Sequence, residues 1–164
     1  MRDEEFERLY DEHAAGLLGF LTYRTGDRVL AEDVVADTFE RVLRARKRFD
    51  PRRASSKTWV YSIAINRLRD MQRSRQSEQR ALTRLGPDAP ARTGDLEAIE
   101  HRDELTGALA QLSAEEREAI ALRYGGDLTV PEIARLQGER LSTVEGRVYR
   151  GLRKLRDLLD QEEP

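Results

Sequence analysis

Three short motifs near the end of the chain restrict its fold more than any other feature, because each one marks the start of a helix. In a capping box, a Ser or Thr and a Glu three residues later satisfy backbone amides that the first helical turn leaves unpaired. The pattern occurs at residues 113–116, 129–132 and 142–145. It predicts helices that begin near Ala114, Val130 and Thr143.

The middle helix must be short. It should end near Gln137, because Gly138 can adopt the left-handed backbone that closes a helix, while Pro131 suits a first helical turn. A short helix, a glycine turn and a longer helix together predict a helix-turn-helix. A simple repeat of helical hairpins is the alternative interpretation.

The helix that begins near Thr143 has two faces. Val144, Val148, Leu152, Leu155 and Leu159 recur at helical spacing and should face the core. The other stripe is polar and basic, as in a recognition helix whose early side chains contact bases and whose later ones contact phosphates. A solvated basic face is the alternative. The stripe consists of Thr143, Arg147, Arg150 and Lys154.

The rest of the chain also has helical periodicity, and no alternating strand pattern is found. A buried stripe is predicted in the first helix from Phe6, Leu9, Tyr10, Leu17, Phe20 and Leu21, and a turn at 25–27 ends that helix. The second helix should run from about Val29 to Arg46, before Pro51. A third should run from about Lys57 to Arg75. The predicted fold is all-α.

Residues 86–94 contain two prolines and two glycines without apolar periodicity, a composition typical of a flexible linker. We therefore predict two small helical domains. The first spans 1–76, the linker spans 77–95, and the second domain, which contains the helix-turn-helix, spans 96–164.

The only tryptophan, Trp59, lies in a strongly basic segment. Residues 44–84 contain thirteen basic and three acidic side chains, although the whole chain has a net charge of −2. Single-stranded nucleic acid is bound by positive surfaces combined with aromatic faces that stack on bases. The segment therefore predicts such a surface, and a solvated basic face around a core tryptophan is the alternative.

Four acidic residues lie on one side of the second helix, because residues three and four apart are neighbours there. They are Glu32, Asp33, Asp37 and Glu40. With no companion histidine or glycine-rich loop, they indicate a docking surface and not a catalytic site.

Other function classes are not expected. The chain has no cysteine, which excludes disulfides and thiolate zinc sites. His13 and His101 lack metal-ligand partners at useful spacing. No catalytic motif is visible, so we predict no enzyme activity, metal, cofactor or small-molecule substrate. No apolar run is long enough to span a membrane and no signal peptide is found, so a cytoplasmic protein is expected.

Three segments, at 31–42, at 49–67 and from 112–124 through 128–155, together resemble the bacterial extracytoplasmic-function sigma factors of RNA polymerase. The resemblance covers nearly the whole chain in the same order. It implies that the chain binds core RNA polymerase, recognises and melts the minus-ten element and reads the minus-thirty-five element of promoter DNA. It also implies an anti-sigma factor as a partner. The mechanism would be binding and not catalysis, because the protein would stabilise a base flipped out of the duplex.

The resemblance assigns residues to three surfaces. Polymerase binding falls to Glu32, Asp33, Asp37 and Glu40. The minus-ten element falls to Arg52, Arg53, Ser55, Ser56, Lys57, Trp59, Asn66, Arg67, Arg69 and Arg73. The minus-thirty-five element falls to Ser142, Thr143, Glu145, Arg147, Arg150 and Lys154.

Four positions depart from the family pattern: Ala36, Gln137, Glu139 and Glu145. Ala36 replaces a usual glutamine in the polymerase-binding helix, Gln137 and Glu139 replace apolar residues around the turn, and Glu145 replaces a frequent basic residue. Glu145 could accept a hydrogen bond from cytosine N4. The alternative function is a helix-turn-helix transcriptional regulator that acts without replacing a sigma factor.

Overall fold

The computed structural model describes residues 1–85 and 100–161, and every regular element in these ranges is helical. The first domain contains three helices and the second contains four. The helices are α1 (Asp3–Thr25), α2 (Arg28–Ala45), α3 (Ser56–Leu85), α4 (Glu100–Ala110), α5 (Ala114–Ile120), α6 (Val130–Gln137) and α7 (Leu141–Asp160). None of them is long and apolar enough to cross a membrane.

The ends of α1 and α2 follow from local sequence. Gly26 adopts a left-handed backbone (φ 68°) and closes α1, and the Asp27 carboxylate accepts the Leu30 backbone N–H at 3.0 Å, which caps α2. A 3₁₀ turn at Arg46–Arg48 then leads to Pro51. The predicted bounds of these two helices are confirmed to within about two residues, the usual uncertainty of a helix end.

Helix α3 is ten residues longer than predicted, because it continues from Arg75 to Leu85. The last three turns are exposed as far as residue 83. They therefore need no apolar stripe, and the loss of periodicity after residue 76 does not mark a helix end. This part of α3 contains no glycine or proline and is rich in good helix formers. A linker beginning at residue 77 is thus wrong, and the predicted linker at 86–94 lies outside the described residues.

The first domain has its core between α1, α2 and α3, where Leu17, Phe20, Val34, Val60 and Leu68 are almost completely buried. The predicted inner face of α1 is confirmed for its four leucine and phenylalanine positions from Leu9 to Leu21, and Phe6 packs against it partly buried. Tyr10 is an exception with 47% exposure. Its ring lies on the domain edge, with its centroid 4.8 Å from that of Phe39.

The second domain begins its helices where two of the three capping boxes predict. Ser113 accepts the Glu116 N–H at the start of α5, and Thr129 and Glu132 form a reciprocal box at α6. Gly138 is left-handed (φ 65°) and closes α6 as expected. Between α5 and α6 lies a π-helical turn, Ala121–Gly125, which the sequence did not reveal.

The third capping box is wrong. Helix α7 begins at Leu141 with Arg140 at the N-cap, and no side chain caps it. The backbone carbonyl of Arg140 instead accepts the N–H groups of Thr143 and Val144, at 3.1 and 3.2 Å. Ser142 therefore lies inside the first turn, where its side chain is exposed.

The two domains pack against each other, and their buried residues form one continuous cluster. The contact is closest where Gly19 of α1 meets Gly125 of the π-helical turn. A side chain at Gly125 would place its Cβ 2.6 Å from the Gly19 carbonyl oxygen. Beside this point, the buried Tyr61 hydroxyl donates to the Gly126 carbonyl at 3.3 Å. Because backbones approach this closely only without a Cβ, the two glycines set the distance between the domains.

Candidate polymerase and nucleic-acid interface

The acidic residues of α2 project from a helix whose opposite face is buried, so their common orientation follows from the periodicity of the core residues. Glu32, Asp33 and Glu40 are exposed. Glu32 pairs with Arg28 at 3.2 Å and Glu40 pairs with Arg44 at 2.5 Å, both one turn away. Asp33 makes no ion pair with any described residue. Exposed pairs of this kind contribute little to stability, so these carboxylates remain accessible to a partner.

Asp37 is less accessible than the other three. Its Oδ2 accepts from both the Nε of Arg67 at 2.8 Å and the Nη2 at 2.7 Å. The pair connects α2 to α3. The sequence placed Asp37 at a polymerase surface and Arg67 at a DNA surface, whereas in the structure these two side chains bind each other. Their first role is to hold the two surfaces in a defined relation.

The basic loop before α3 is ordered by short polar contacts. The Asp50 carboxylate accepts the Arg52 backbone N–H at 2.9 Å. Ser55 accepts the Thr58 N–H at 3.1 Å and donates its hydroxyl proton to the Thr58 hydroxyl at 2.9 Å. Ser55 is therefore the N-cap of α3. The side chains of Arg52 and Arg53 are exposed, so the loop presents two guanidinium groups at a helix start.

Trp59 is half-buried. Its ring packs on Phe49, with centroids 4.8 Å apart and planes inclined by 33°, and it also contacts the hydrophobic core. The two interpretations of this tryptophan, core residue and surface aromatic, therefore each hold for part of the side chain. Phe49 fixes the indole next to the basic loop.

One face of α3 continues from Trp59 along the helix. Residues at intervals of three and four lie on this face, namely Trp59, Ser62, Asn66, Arg69 and Arg73. Ser62, Asn66 and Arg69 line a cavity of about 330 Å³ between the two domains. Arg73 lies beyond it and is exposed.

Lys57, at the start of α3, contacts the second domain. Its Nζ lies 3.3 Å from Oε2 of Glu132, the capping-box residue of α6. Burial alone would raise the pKa of Glu132, but hydrogen bonds from Thr129 and Lys57 outweigh it and lower the pKa. The carboxylate is therefore ionised at neutral pH. The sequence analysis assigned Glu132 only to the helix cap and missed this contact, because nothing local links residues 57 and 132.

Helix α7 presents the residues expected at a minus-thirty-five surface, with differing exposure. Ser142, Glu145 and Arg150 are exposed, whereas Thr143 and Arg147 are partly buried. The Arg147 guanidinium lies 3.4 Å from Glu139 across the helix-turn-helix and faces the interdomain cavity. Arg147 is therefore not displayed as openly as the sequence implied.

Lys154 is the residue whose surroundings differ most from the prediction. Its Nζ lies 2.9 Å from Oε1 of Glu116, which is only 7% exposed. An ammonium group next to a buried carboxylate compensates a charge that would be costly alone. The structure thus gives Lys154 a structural ion pair within the second domain, and a phosphate contact for it stays a prediction.

The polar residues that depart from the family pattern around the turn have partners in the structure. Gln137 donates its amide to Glu118 at 3.0 Å, joining α6 to α5, and Glu139 pairs with Arg147. Glu118 also lies 3.9 Å from Nε of Arg24 on α1. Burial lowers the pKa of Arg24. These contacts replace the apolar packing usual at such a turn. Ala36 is exposed on α2, and Glu145 is exposed on α7.

The chain matches two family models in the order of its two domains. Sigma-70 region 2 matches residues 9–78, and sigma-70 region 4 matches residues 102–155. The sigma factor CarQ of Myxococcus xanthus is 33% identical over 159 residues, which is 96% of this chain and 91% of CarQ. The extracytoplasmic-function sigma factor RpoE of Cereibacter sphaeroides is 34% identical over 158 residues, which is 94% of this chain and 87% of that protein.

Two solved structures have the same fold. One is the sigma factor RpoE in complex with the anti-sigma factor NepR from Bartonella quintana, with a TM-score of 0.76 at 24% identity, covering 98% of this chain and 99% of RpoE. The other is CnrH in complex with the cytosolic domain of CnrY, with a TM-score of 0.76 at 25% identity, covering 99% of this chain and 92% of CnrH.

The fold and the two matched regions define a sigma factor of the sigma-70 class, a class of proteins that are not in general enzymes. Within that class, the chain belongs to the extracytoplasmic-function sigma factors. It therefore binds core RNA polymerase and promoter DNA and directs promoter-specific transcription. The alternative of a regulator that does not replace a sigma factor is not favoured, because it accounts for only the region 4 match.

Proposed function

We propose that the chain divides sigma-factor function among three surfaces. The acidic face of α2 binds core polymerase, the loop at 51–57 with the Trp59 face of α3 binds the minus-ten element, and the exposed face of α7 reads the minus-thirty-five element. The first domain, 1–76 with the continuation of α3, is the region 2 unit, and 96–164 is the region 4 unit. The chain acts by binding alone, without catalysis or a cofactor.

One observation supports this division above all others. The Asp37–Arg67 ion pair joins α2 to α3, so the acidic face and the Trp59 face belong to one rigid unit. A protein that must melt DNA while attached to polymerase needs these two surfaces in a constant relation. Phe49, Trp59 and the two exposed guanidinium groups of Arg52 and Arg53 form the part of this unit best suited to an unpaired base and its phosphates.

The chain works in the cytoplasm, where promoter DNA and polymerase are present, and an anti-sigma factor regulates it. The titles of both related structures name complexes, one with the anti-sigma factor NepR and one with the cytosolic domain of CnrY. Such a partner would bind the same surfaces that polymerase and DNA use.

Asp33→Arg tests the polymerase surface. Asp33 is exposed and unpaired among the described residues, so the change should leave the fold intact. It should reduce capture of core polymerase and transcription from a library of genomic fragments. Glu7→Arg, which changes the same charge at an exposed position of α1, is the matched control. If both variants capture polymerase as well as the unmodified protein does, the α2 surface is not the polymerase site.

A further inference from the structure

The second domain presents carboxylates to the face of the first domain that is assigned to DNA. Glu132 lies 3.3 Å from Lys57, and Glu118 lies 3.9 Å from Arg24. Between these contacts, the cavity of about 330 Å³ is lined by both domains. Its polar walls are Ser62, Asn66 and Arg69 from α3, and Glu115, Glu118 and Glu139 from the second domain.

This arrangement matches the charges that DNA would bring to the same face. Lysine and arginine bind carboxylate and phosphate oxygens through the same charge-assisted hydrogen bonds. A DNA strand that contacted Lys57, Asn66 and Arg69 would need the space that α5 and α6 fill. The second domain and the strand therefore cannot occupy this face together.

We propose that the second domain is an intramolecular competitor of DNA, in which Glu132 and Glu118 hold the helix-turn-helix over the minus-ten face until the domains separate. The proposal rests on the assignment of Lys57, Asn66 and Arg69 to that face. It adds a closed state in which the chain covers its own DNA surface.

The interdomain contact is suited to reversible opening. Its described polar links are the two ion pairs and the Tyr61–Gly126 hydrogen bond. The side chains of Lys57 and Glu132 are 27% and 30% exposed, so water and salt weaken their attraction. A polyanion that offers several phosphates can replace such links.

Glu132 also has a fixed orientation before it meets Lys57. Its Oε1 accepts the Thr129 backbone N–H at 3.0 Å as part of the capping box. A glutamine can make the same cap contact. Glu132→Gln therefore removes the charge that faces Lys57 while preserving the start of α6.

The test measures binding of the full-length chain to a fluorescein-labelled single-stranded DNA of random sequence by fluorescence anisotropy at constant low salt. Glu132→Gln should tighten binding by about threefold to fivefold, because an exposed ion pair lies at that scale. Glu118→Gln, which keeps an acceptor for Gln137, should act in the same direction. Glu104→Gln is the matched control, since it removes one negative charge at an exposed position of the second domain away from the first.

Circular dichroism of each variant establishes that it is folded. Equal affinities for Glu132→Gln, Glu118→Gln and Glu104→Gln would overturn the competition. Lys57→Gln separates this outcome from failure of the assigned DNA face. If Lys57→Gln binds the oligonucleotide and initiates transcription with core polymerase as well as the unmodified chain does, the assignment of Lys57 is wrong, and so is a competition that depends on it.

Discussion

Replacing Gly19 with alanine should open the protein while making its first helix intrinsically more stable. Gly19 lies in the interior of α1, where a glycine is about 0.5–1 kcal/mol less favourable than alanine. A Cβ at this position would penetrate the carbonyl oxygen of Gly125 and lie 3.2 Å from its carbonyl carbon. Both are backbone atoms that no side-chain rotation can move, so the π-helical turn must move away from α1.

The energetic balance can be worked from the contacts that this movement breaks. The Tyr61–Gly126 hydrogen bond contributes about 1 kcal/mol. The Lys57–Glu132 and Arg24–Glu118 pairs contribute about 0–1 kcal/mol each. The loss is therefore of the same size as the helical gain or larger, and the domains should separate without unfolding.

Small-angle scattering measures the separation. A compact chain of this length has a radius of gyration of about 15 Å, and two separated domains of half that length should exceed about 20 Å. Gly107→Ala is the control, because Gly107 lies within α4 and a Cβ there would meet nothing within 4 Å. It should raise the melting temperature by about 2–4 °C and leave the radius unchanged. If Gly19→Ala behaves in the same way as Gly107→Ala, the glycine contact does not hold the domains together.

Three further outcomes are expected. Trp59→Ala should reduce the free energy of unfolding by about 2–3 kcal/mol, less than for a fully buried tryptophan, and Trp59→Phe should retain most of the packing on Phe49, as urea denaturation can measure. Lys154→Ala should cost about 1–2 kcal/mol, because it leaves the Glu116 carboxylate buried without its ammonium, whereas a residue that only bound phosphate would leave the melting temperature unchanged. The pKa of Glu132 is lowered from 4.5 in the folded state, so its stabilisation is complete above about pH 4.5 and is lost as the pH falls through the lower folded value. Urea titrations from acid to neutral pH should show this loss in the unmodified chain and a smaller one in Glu132→Gln.

Much of the local structure was predictable because it depends on neighbouring residues. The cap at Ser113, the box at Thr129 and the left-handed turn at Gly138 involve contacts within four positions, and each is found where the sequence predicts it. The box at 142–145 failed because its pattern is also compatible with a helix that has already begun. Arg140 became the N-cap, and Leu141 started the helix two residues early.

Helix α3 shows the limit of periodicity as a guide. The apolar pattern ends where the helix leaves the core, and the helix itself continues to Leu85 through residues of good helix propensity. A pattern that reports burial cannot locate the end of an exposed helix.

The sequence by itself determined the helices, their inner faces, the helix-turn-helix and the placement of acidic and basic residues on separate surfaces, because these depend on spacing along one helix. Only the tertiary structure decided which charges meet. Lys57 and Glu132 are 75 positions apart, and Arg67 and Asp37 are 30 apart. A charged side chain has no preferred partner until packing brings one within reach. In this chain, the approach of Gly19 to Gly125 places the carboxylates of the second domain against the basic face of the first.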